Sequence, residues 1–196
     1  MSEQTLRRAG DAQGALAATL KAGLAAADAE AALGVVTACV VDLLGDKTAH
    51  LRPGGLRHGE RQYAVSAALM LSADGSENIY LAQRNFPPAQ HHLRIASDLG
   101  HPGAVVASGQ ALLLANTDDH ADFVQLLSTS RMGSSLYAPF HWRGEMLGQL
   151  ICGAQARHTY RPIDLEVLSA FADIACALWM AHQGPAQLPE IAAVEG

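Results

Sequence analysis

Nine histidines in 196 residues are the first place to look for chemistry, because imidazole ligates metals and haem iron and changes charge near neutral pH. Seven of them lie beyond residue 90. His101 opens the segment His101-Pro-Gly-Ala-Val. His91 sits in Gln90-His-His-Leu-Arg-Ile, where an extended chain would place it on one face with Leu93 and Ile95 and place His92 with Arg94 on the other. A regular strand would therefore keep the two adjacent histidines out of one pocket. His91 and His101 are candidate ligand contacts and candidate axial ligands, which makes haem a candidate cofactor. His120 follows Asp118-Asp119, so Asp119 and His120 are further candidates for a polar or metal contact. There is no His-x-x-His or Cys-x-x-Cys spacing to support zinc.

Two other groups could meet a ligand. If a helix begins at Pro102, the backbone N–H groups of Gly103, Ala104 and Val105 are free at its start and can bind a small anion. Gly103 would then let the ligand approach the backbone. Ser135 and Tyr137 share a face of a strand and could add polar contacts to an apolar pocket. Alternation alone leaves open which face of the sheet that is. Ser134 and Ser135 lie in a strand and not on a nucleophile turn, so no serine hydrolase arrangement is read.

Around these residues the chain divides into short elements. Residues 4–26, with Leu6, Leu16, Leu20 and Leu24, read as a first helix weakened by Gly10, Gly14 and Gly23. Asp28 caps a second helix that runs to Leu44 and stops at Gly45. Residues 46–62 form the longest irregular stretch, with His50, His58 and four Gly or Pro breakers; it is a solvated connection or a ligand-side lid. Strands follow at 63–71 and 78–83, and an extended segment at 90–97. Next come a helix at 102–108, a strand at 111–115, and a helix at 120–128 capped by Asp118 or Asp119. A hairpin turns at Trp142-Arg-Gly. The last helix, about 163–182, carries two apolar stripes. One holds Leu165, Leu168, Ala172, Ala175 and Trp179; the other holds Val167, Phe171, Ile174 and Leu178. A helix apolar on two sides must bury both; the sheet covers one stripe, the second wants the N-terminal helix or another subunit, and the expectation is a homodimer through the N- and C-terminal helices. Pro185 and Pro189 predict a flexible tail.

The ordered set His101-Pro-Gly, Asn116 after a strand, Ser134-Ser-Leu-Tyr-Ala-Pro, Gly148 and the Leu165–Leu178 helix resembles the GAF domain family over roughly residues 28–182. The resemblance implies an α+β, PAS-related fold: an antiparallel sheet with the terminal helices on one face and ligand-side helices on the other. A small-molecule pocket would lie under the helices at 102–108 and 120–128. The expected division is a helical extension over 1–27, the GAF-like domain over 28–183 and the tail over 184–196. Cyclic-nucleotide-binding relatives carry Asn-Lys, then Phe followed by Asp-Glu. Here Thr117 follows Asn116, and Leu127-Ser128 follow Phe123, so that ligand is disfavoured. Bilin-binding relatives carry Cys-His, which is missing here. Methionine-sulfoxide-reducing relatives place cysteines at the pocket, whereas Cys39 and Cys176 fall on terminal helices and Cys152 in mid-strand.

Composition narrows the class further. Apolar residues make up 49% of the chain and charged residues 16%, enough for a packed core. A net charge of −6 with only two lysines argues against a nucleic-acid surface. No apolar run is long enough to cross a membrane, and the first residues carry no signal-peptide core. Three widely spaced cysteines read as reduced thiols. The expectation is a cytoplasmic sensor, not an enzyme, that binds a small polar or anionic metabolite and passes its signal to a partner signalling protein. A haem-binding gas or redox sensor, or small haem enzyme, is the alternative.

Overall fold

Continuous runs of buried residues along β1 (Ala64–Leu71), β2 (Glu77–Arg84), β5 (Ser134–Trp142) and β6 (Glu145–Ala154) mark a sheet covered on both faces. The computed structural model describes residues 3–120 and 132–193. With the short strands β3 (Arg94–Ala96) and β4 (Leu112–Leu114) the sheet has six strands in the order β3-β2-β1-β6-β5-β4. Every pairing is antiparallel. The architecture is the expected α+β one.

Three helices form the layer on one face: α1 (Glu3–Leu24), α2 (Ala29–Leu43) and α4 (Pro162–Ala181). The Asp28 carboxylate accepts the Ala31 N–H at 2.8 Å and so starts α2. Lys47 folds back over the other end and donates to the Val41 and Leu44 carbonyls at 2.9 and 2.8 Å. Leu33, Val36 and Val40 of α2 and Leu168, Phe171 and Ala175 of α4 pack on Ala68, Met70, Leu136, Ala138, Phe140 and Leu150 of the sheet. On the other face Ala67, Leu69, Tyr80, Ile95, Leu114, Tyr137 and Ile151 pack with Val105 of α3 (Gly100–Ser108). Among the described residues, no helix is long and apolar enough to cross a membrane.

The second stripe of the last helix finds part of its cover inside the chain. Phe171 and Leu178 are fully buried. A Cβ added to Gly23 of α1 would lie 2.4 Å from a Leu178 methyl, and the His182 ring lies 2.9 Å from the Gly23 carbonyl. Val167 and Ile174 of the same stripe stay half-buried at its margin, so α1 supplies part of the cover. The C-terminal segment also differs from the flexible tail expected of it. Residues Gly184–Ala193 form α5, because Gly184 packs directly on the Trp179 ring, Leu188 is buried, and Gln187 donates to the His182 carbonyl at 2.7 Å. Pro185 falls in the first turn, where a missing N–H costs nothing.

The irregular stretch 46–62 is tied to the other end of the domain by Arg157. Its guanidinium is 3% exposed. It makes a bidentate pair with Glu60 and donates through Nε to Asp118 at 2.9 Å. Arg57 reaches the same Asp118 oxygen at 2.8 Å, and the Arg157 N–H donates to the Gly55 carbonyl at 2.9 Å. Burial disfavours the charge on Arg157, but the two carboxylates outweigh it and raise its pKa. Burial would likewise raise the Glu60 carboxyl; the hydrogen bonds from Arg157 and the Arg57 amide, and the two positive charges, hold it below 4.5.

Removing the arginine leaves two carboxylates facing each other with partial burial. Arg157→Met should lower the unfolding free energy by about 3 kcal/mol, read from urea midpoints at neutral pH. Because the folded Glu60 pKa lies below its unfolded value, the pair's stabilisation is complete above about pH 4.5 and fades as pH falls through the folded value. The variant should therefore lose less stability than the parent over that acid range. Equal midpoints at pH 7 would show that the network does not hold the loop.

Candidate functional site

The face of the sheet under α3 carries a set of buried polar side chains in an apolar surround. Asn78 of β2, Gln149 of β6, and Ser135 and Tyr137 of β5 are all buried. Asn78 opposes Leu71 and Gln149 opposes Leu69, so these two flank β1 side by side; Ser135 opposes Leu114 and Gly153, four residues along β6 from Gln149 on the same face. The Gln149 amide donates to Asn78 Oδ1 at 3.3 Å and to the Pro102 carbonyl of α3 at 3.1 Å. Asn78 Nδ2 and Gln149 Oε1 are left without hydrogen-bond partners, and the Ser135 hydroxyl is met only by the Tyr137 phenol. Burial pushes the Tyr137 phenol up to about 12 and raises that of Tyr80 further, so both stay neutral. His101 stacks near Tyr137, with ring centroids 6.3 Å apart and 24° between planes. His120 meets His101 edge-on at 6.0 Å.

The expected residues divide by position. His101, Ser135 and Tyr137 lie on the ligand-side face, with His120 at its rim. Asp119 and His120 are exposed in the 3-10 turn Thr117–Asp119 and just after it. Asn116 caps that turn through Asp118 N–H at 3.1 Å. The helix expected at 120–128, apart from His120, lies outside the described residues.

The amide site expected at Gly103, Ala104 and Val105 is not free. The helix α3 begins at Gly100, whose φ of +61° turns the chain into it. The Gly103 N–H already donates to the Leu99 carbonyl at 3.1 Å, so residues 103–105 lie within the helix instead of at its open end. The backbone that approaches Gly103 is that of Asp98: a Cβ there would sit 2.2 Å from the Asp98 carbonyl carbon. Val105 is a core residue and Ala104 is exposed.

His91 is also displaced from its expected setting. The extended segment is a regular strand only over Arg94–Ala96, because His92 has φ +59° and breaks it. The His91 ring faces Glu30 of α2, 2.6 Å away, in the helical layer and not beside His101. Of the two haem-ligand candidates, His101 alone remains on the ligand side. The cysteines lie in the helical layer too. Cys152 and Cys176 are part of that core and Cys39 packs against it, and burial raises the Cys152 thiol well out of the reactive range.

Reasoning from residue types missed Asn78, Gln149 and Arg157. The two amides did leave a signal: Gln149 interrupts an apolar run in β6, and Asn78 begins the apolar run of β2. Arg157 gave no comparable sign, because its partners Glu60 and Asp118 are distant in sequence.

A model of the GAF domain family matches residues 25–179. The chain is a GAF domain. Among curated proteins no sequence matches it. Solved structures share its fold at low identity. The GAF domain of a phosphoenolpyruvate-protein phosphotransferase from Coxiella burnetii has a TM-score of 0.72 at 17% identity, covering 89% of this chain and 96% of that one. The GAF domain of the corresponding Acinetobacter protein gives 0.70 at 14%, covering 94% and 97%. The free methionine-R-sulfoxide reductase of Neisseria meningitidis, solved with its substrate, gives 0.68 at 16%, covering 89% and 91%. In this GAF domain the thiols lie across the sheet from the buried amides.

Gly103 separates a packing role from a ligand role. Gly103→Ala should destabilise the GAF domain by about 1–3 kcal/mol, the usual cost of overpacking against fixed backbone, as measured by urea unfolding without any ligand. Unchanged stability would mean that the 98–103 turn is free to open.

Proposed function

We propose that the GAF domain is a sensory module that binds a small polar metabolite between α3 and the sheet. The carrying observation is the pair of buried amides side by side on one face, each with an unpartnered group, a donor at Asn78 and an acceptor at Gln149, with Ser135 and Tyr137 further along the same face. A buried polar atom without a partner costs about 1–3 kcal/mol, and a ligand offering both donors and acceptors would recover that cost. Neutral phenols at Tyr80 and Tyr137 and the His101 imidazole favour an uncharged or zwitterionic ligand of amino-acid size. An anionic ligand would depend on His101 and His120, since the amides of 103–105 are taken. The fold likeness to a free methionine-R-sulfoxide reductase makes free amino acids and their oxidised forms sensible first probes. The position of the three thiols supports binding over thiol-based reduction.

In this reading the ligand competes with the Pro102 carbonyl for Gln149 and so moves α3 relative to the sheet. Output passes through the helical layer to a second protein or a second copy. A homodimer now rests on narrower ground: Leu20 and Leu24, one turn apart on α1, are exposed, Leu24 at 56%. Light scattering should give twice the 20.6 kDa chain mass, and Leu24→Glu should return it to one. A single chain mass at the highest attainable concentration would end the dimer proposal.

The binding proposal is tested by a thermal-shift screen of free amino acids, their sulfoxides and short carboxylic acids. A ligand at a hundred times its Kd adds about 2.7 kcal/mol, which for a chain of this size raises Tm by roughly 5–10 °C. Ser135→Ala should cost the ligand-free protein at most about 1 kcal/mol, since it removes only the contact with the Tyr137 phenol. It should weaken the ligand by about tenfold, or roughly 1.4 kcal/mol. Equal affinity in Ser135→Ala and Asn78→Leu would place the ligand elsewhere.

A further inference from the structure

Across the sheet from the buried amides, at the edge formed by β2, three side chains converge in a way the ligand pocket does not use. Glu30 lies in the first turn of α2. Its two carboxylate oxygens face two different imidazoles: Oε1 is 2.6 Å from His91 Nε2, and Oε2 is 3.1 Å from His92 Nε2. The two rings stack with centroids 3.8 Å apart and 29° between planes. One ligand atom from each of the three residues lies within 4.8 Å of the others.

Backbone geometry holds this arrangement. Pro87 and Pro88 lead into the short 3-10 turn Pro88–Gln90, and the His91 N–H donates to the Pro88 carbonyl at 3.0 Å. His92 then takes φ +59°, an uncommon conformation for a residue with a Cβ. Its N–H donates to the Tyr80 carbonyl at 2.9 Å. That left-handed step is what brings two neighbouring side chains to the same side, where a strand would have sent them to opposite faces. The rings are anchored from below by the β2 edge and partly open above: side-chain exposure is 42% for His91, 14% for His92 and 28% for Glu30. The adjoining cleft, about 450 Å³, is lined by Asp28, Glu30, Gln83 and His91. The Gln83 Oε1 is buried with no hydrogen-bond partner.

We infer that Glu30, His91 and His92 form a binding site for a divalent transition-metal ion of the zinc class. Two imidazoles and one carboxylate are a donor set suited to Zn²⁺ and its neighbours and poorly suited to Mg²⁺ or Ca²⁺, which take oxygen ligands. Three protein ligands leave a fourth position open on the solvent side, for water or for a group of a partner. The ion replaces the protons that the two imidazoles otherwise share with Glu30, so a small outward shift of the three side chains suffices. Its structural consequence is a clasp between the N-terminus of α2 and the turn joining β2 to β3, a link between the helical layer and the sheet edge.

The test uses tag-free, chelator-treated full-length protein titrated with Zn²⁺ against a chromophoric chelator, and with Co²⁺ followed by visible absorption. The expected result is one equivalent of Zn²⁺ per chain, an intense tetrahedral Co²⁺ spectrum, a raised Tm, and no competition from a large excess of Mg²⁺. His92→Ala and Glu30→Gln should each weaken Zn²⁺ at least tenfold while keeping the far-UV circular dichroism of the parent. His158→Ala, which alters a histidine elsewhere, should bind as the parent does. Absence of stoichiometric binding would overturn the inference and leave Glu30 as a hydrogen-bond acceptor for two histidines. Equal affinity in the parent and in Glu30→Gln and His92→Ala would overturn it too, by assigning the metal to other residues. Because the cluster lies on the helical side, the outcome is independent of whether a metabolite binds under α3.

Discussion

A sheet covered on both faces cannot rely on solvent to satisfy its polar side chains, and this constraint organises the molecule. Every such side chain must find a partner in the protein or be held for something that arrives later. On the helical face several such side chains have their partners, although Gln83 Oε1 does not. Ser66 donates to the Thr37 carbonyl at 2.6 Å, and Ser134 donates to the Leu114 carbonyl at 3.1 Å. Asp164 accepts the Gly45 N–H at 3.1 Å and the Arg161 N–H at 2.9 Å. On the face under α3, Asn78 and Gln149 each keep one unmatched atom. The same strands supply both faces, so the contrast comes from what covers them: among the described residues, α1, α2 and α4 on one side and α3 on the other.

The irregular parts of the chain obey the same rule at their own scale. The segment 46–62 closes short turns on itself, as where the Ala49 N–H donates to the Asp46 carbonyl and the Gly55 N–H to the Arg52 carbonyl, but these local bonds do not tie it to the rest of the domain. Here Arg157 supplies the constraint: its guanidinium joins Glu60 and Asp118, and its backbone N–H donates to the Gly55 carbonyl. Its planar fork meets two carboxylates at once, which a lysine could not do. The result fixes the turn containing Asp118, and with it His120, to the same block as the 46–62 loop. Segments on either side of the ligand face thereby become one unit.

How far the fold could be read from the chain depended on whether local signals were enough. Binary alternation and the Asp28 cap were sufficient for α2, α4, β1, β2 and the β5–β6 hairpin, whose observed bounds lie within two residues of those expected. Elements failed where one backbone torsion decided the outcome. The positive φ at Gly100 starts α3 two residues early and consumes the amides of 103–105. The positive φ at His92 shortens β3 and turns His91 toward α2. Neither torsion leaves a mark that periodicity can detect. The second apolar stripe of α4 was read correctly as buried; its cover depended on the path of α1, which no local pattern specifies. At the site, Ser135, Tyr137 and His101 were visible as types, while Asn78 and Gln149 became meaningful only when register brought them side by side.

That register also explains how a ligand could act at a distance. Gln149 occupies the middle of β6, a strand paired on both sides with β1 and β5, and its side chain reaches the first turn of α3. Its neighbours Leu150 and Cys152 face the opposite way, into the core shared with α2 and α4. A rearrangement at the Gln149 amide therefore has two rigid routes out. One runs through the Pro102 carbonyl to α3; the other runs through the strand to the helical layer. Close-packed cores switch between discrete arrangements more readily than they deform. A ligand that prefers one position of α3 can thus bias the whole sandwich, and its effect is limited by the difference in its affinity for the two positions. The polar atoms that make the ligand-free face costly are the same ones that would give a ligand that difference.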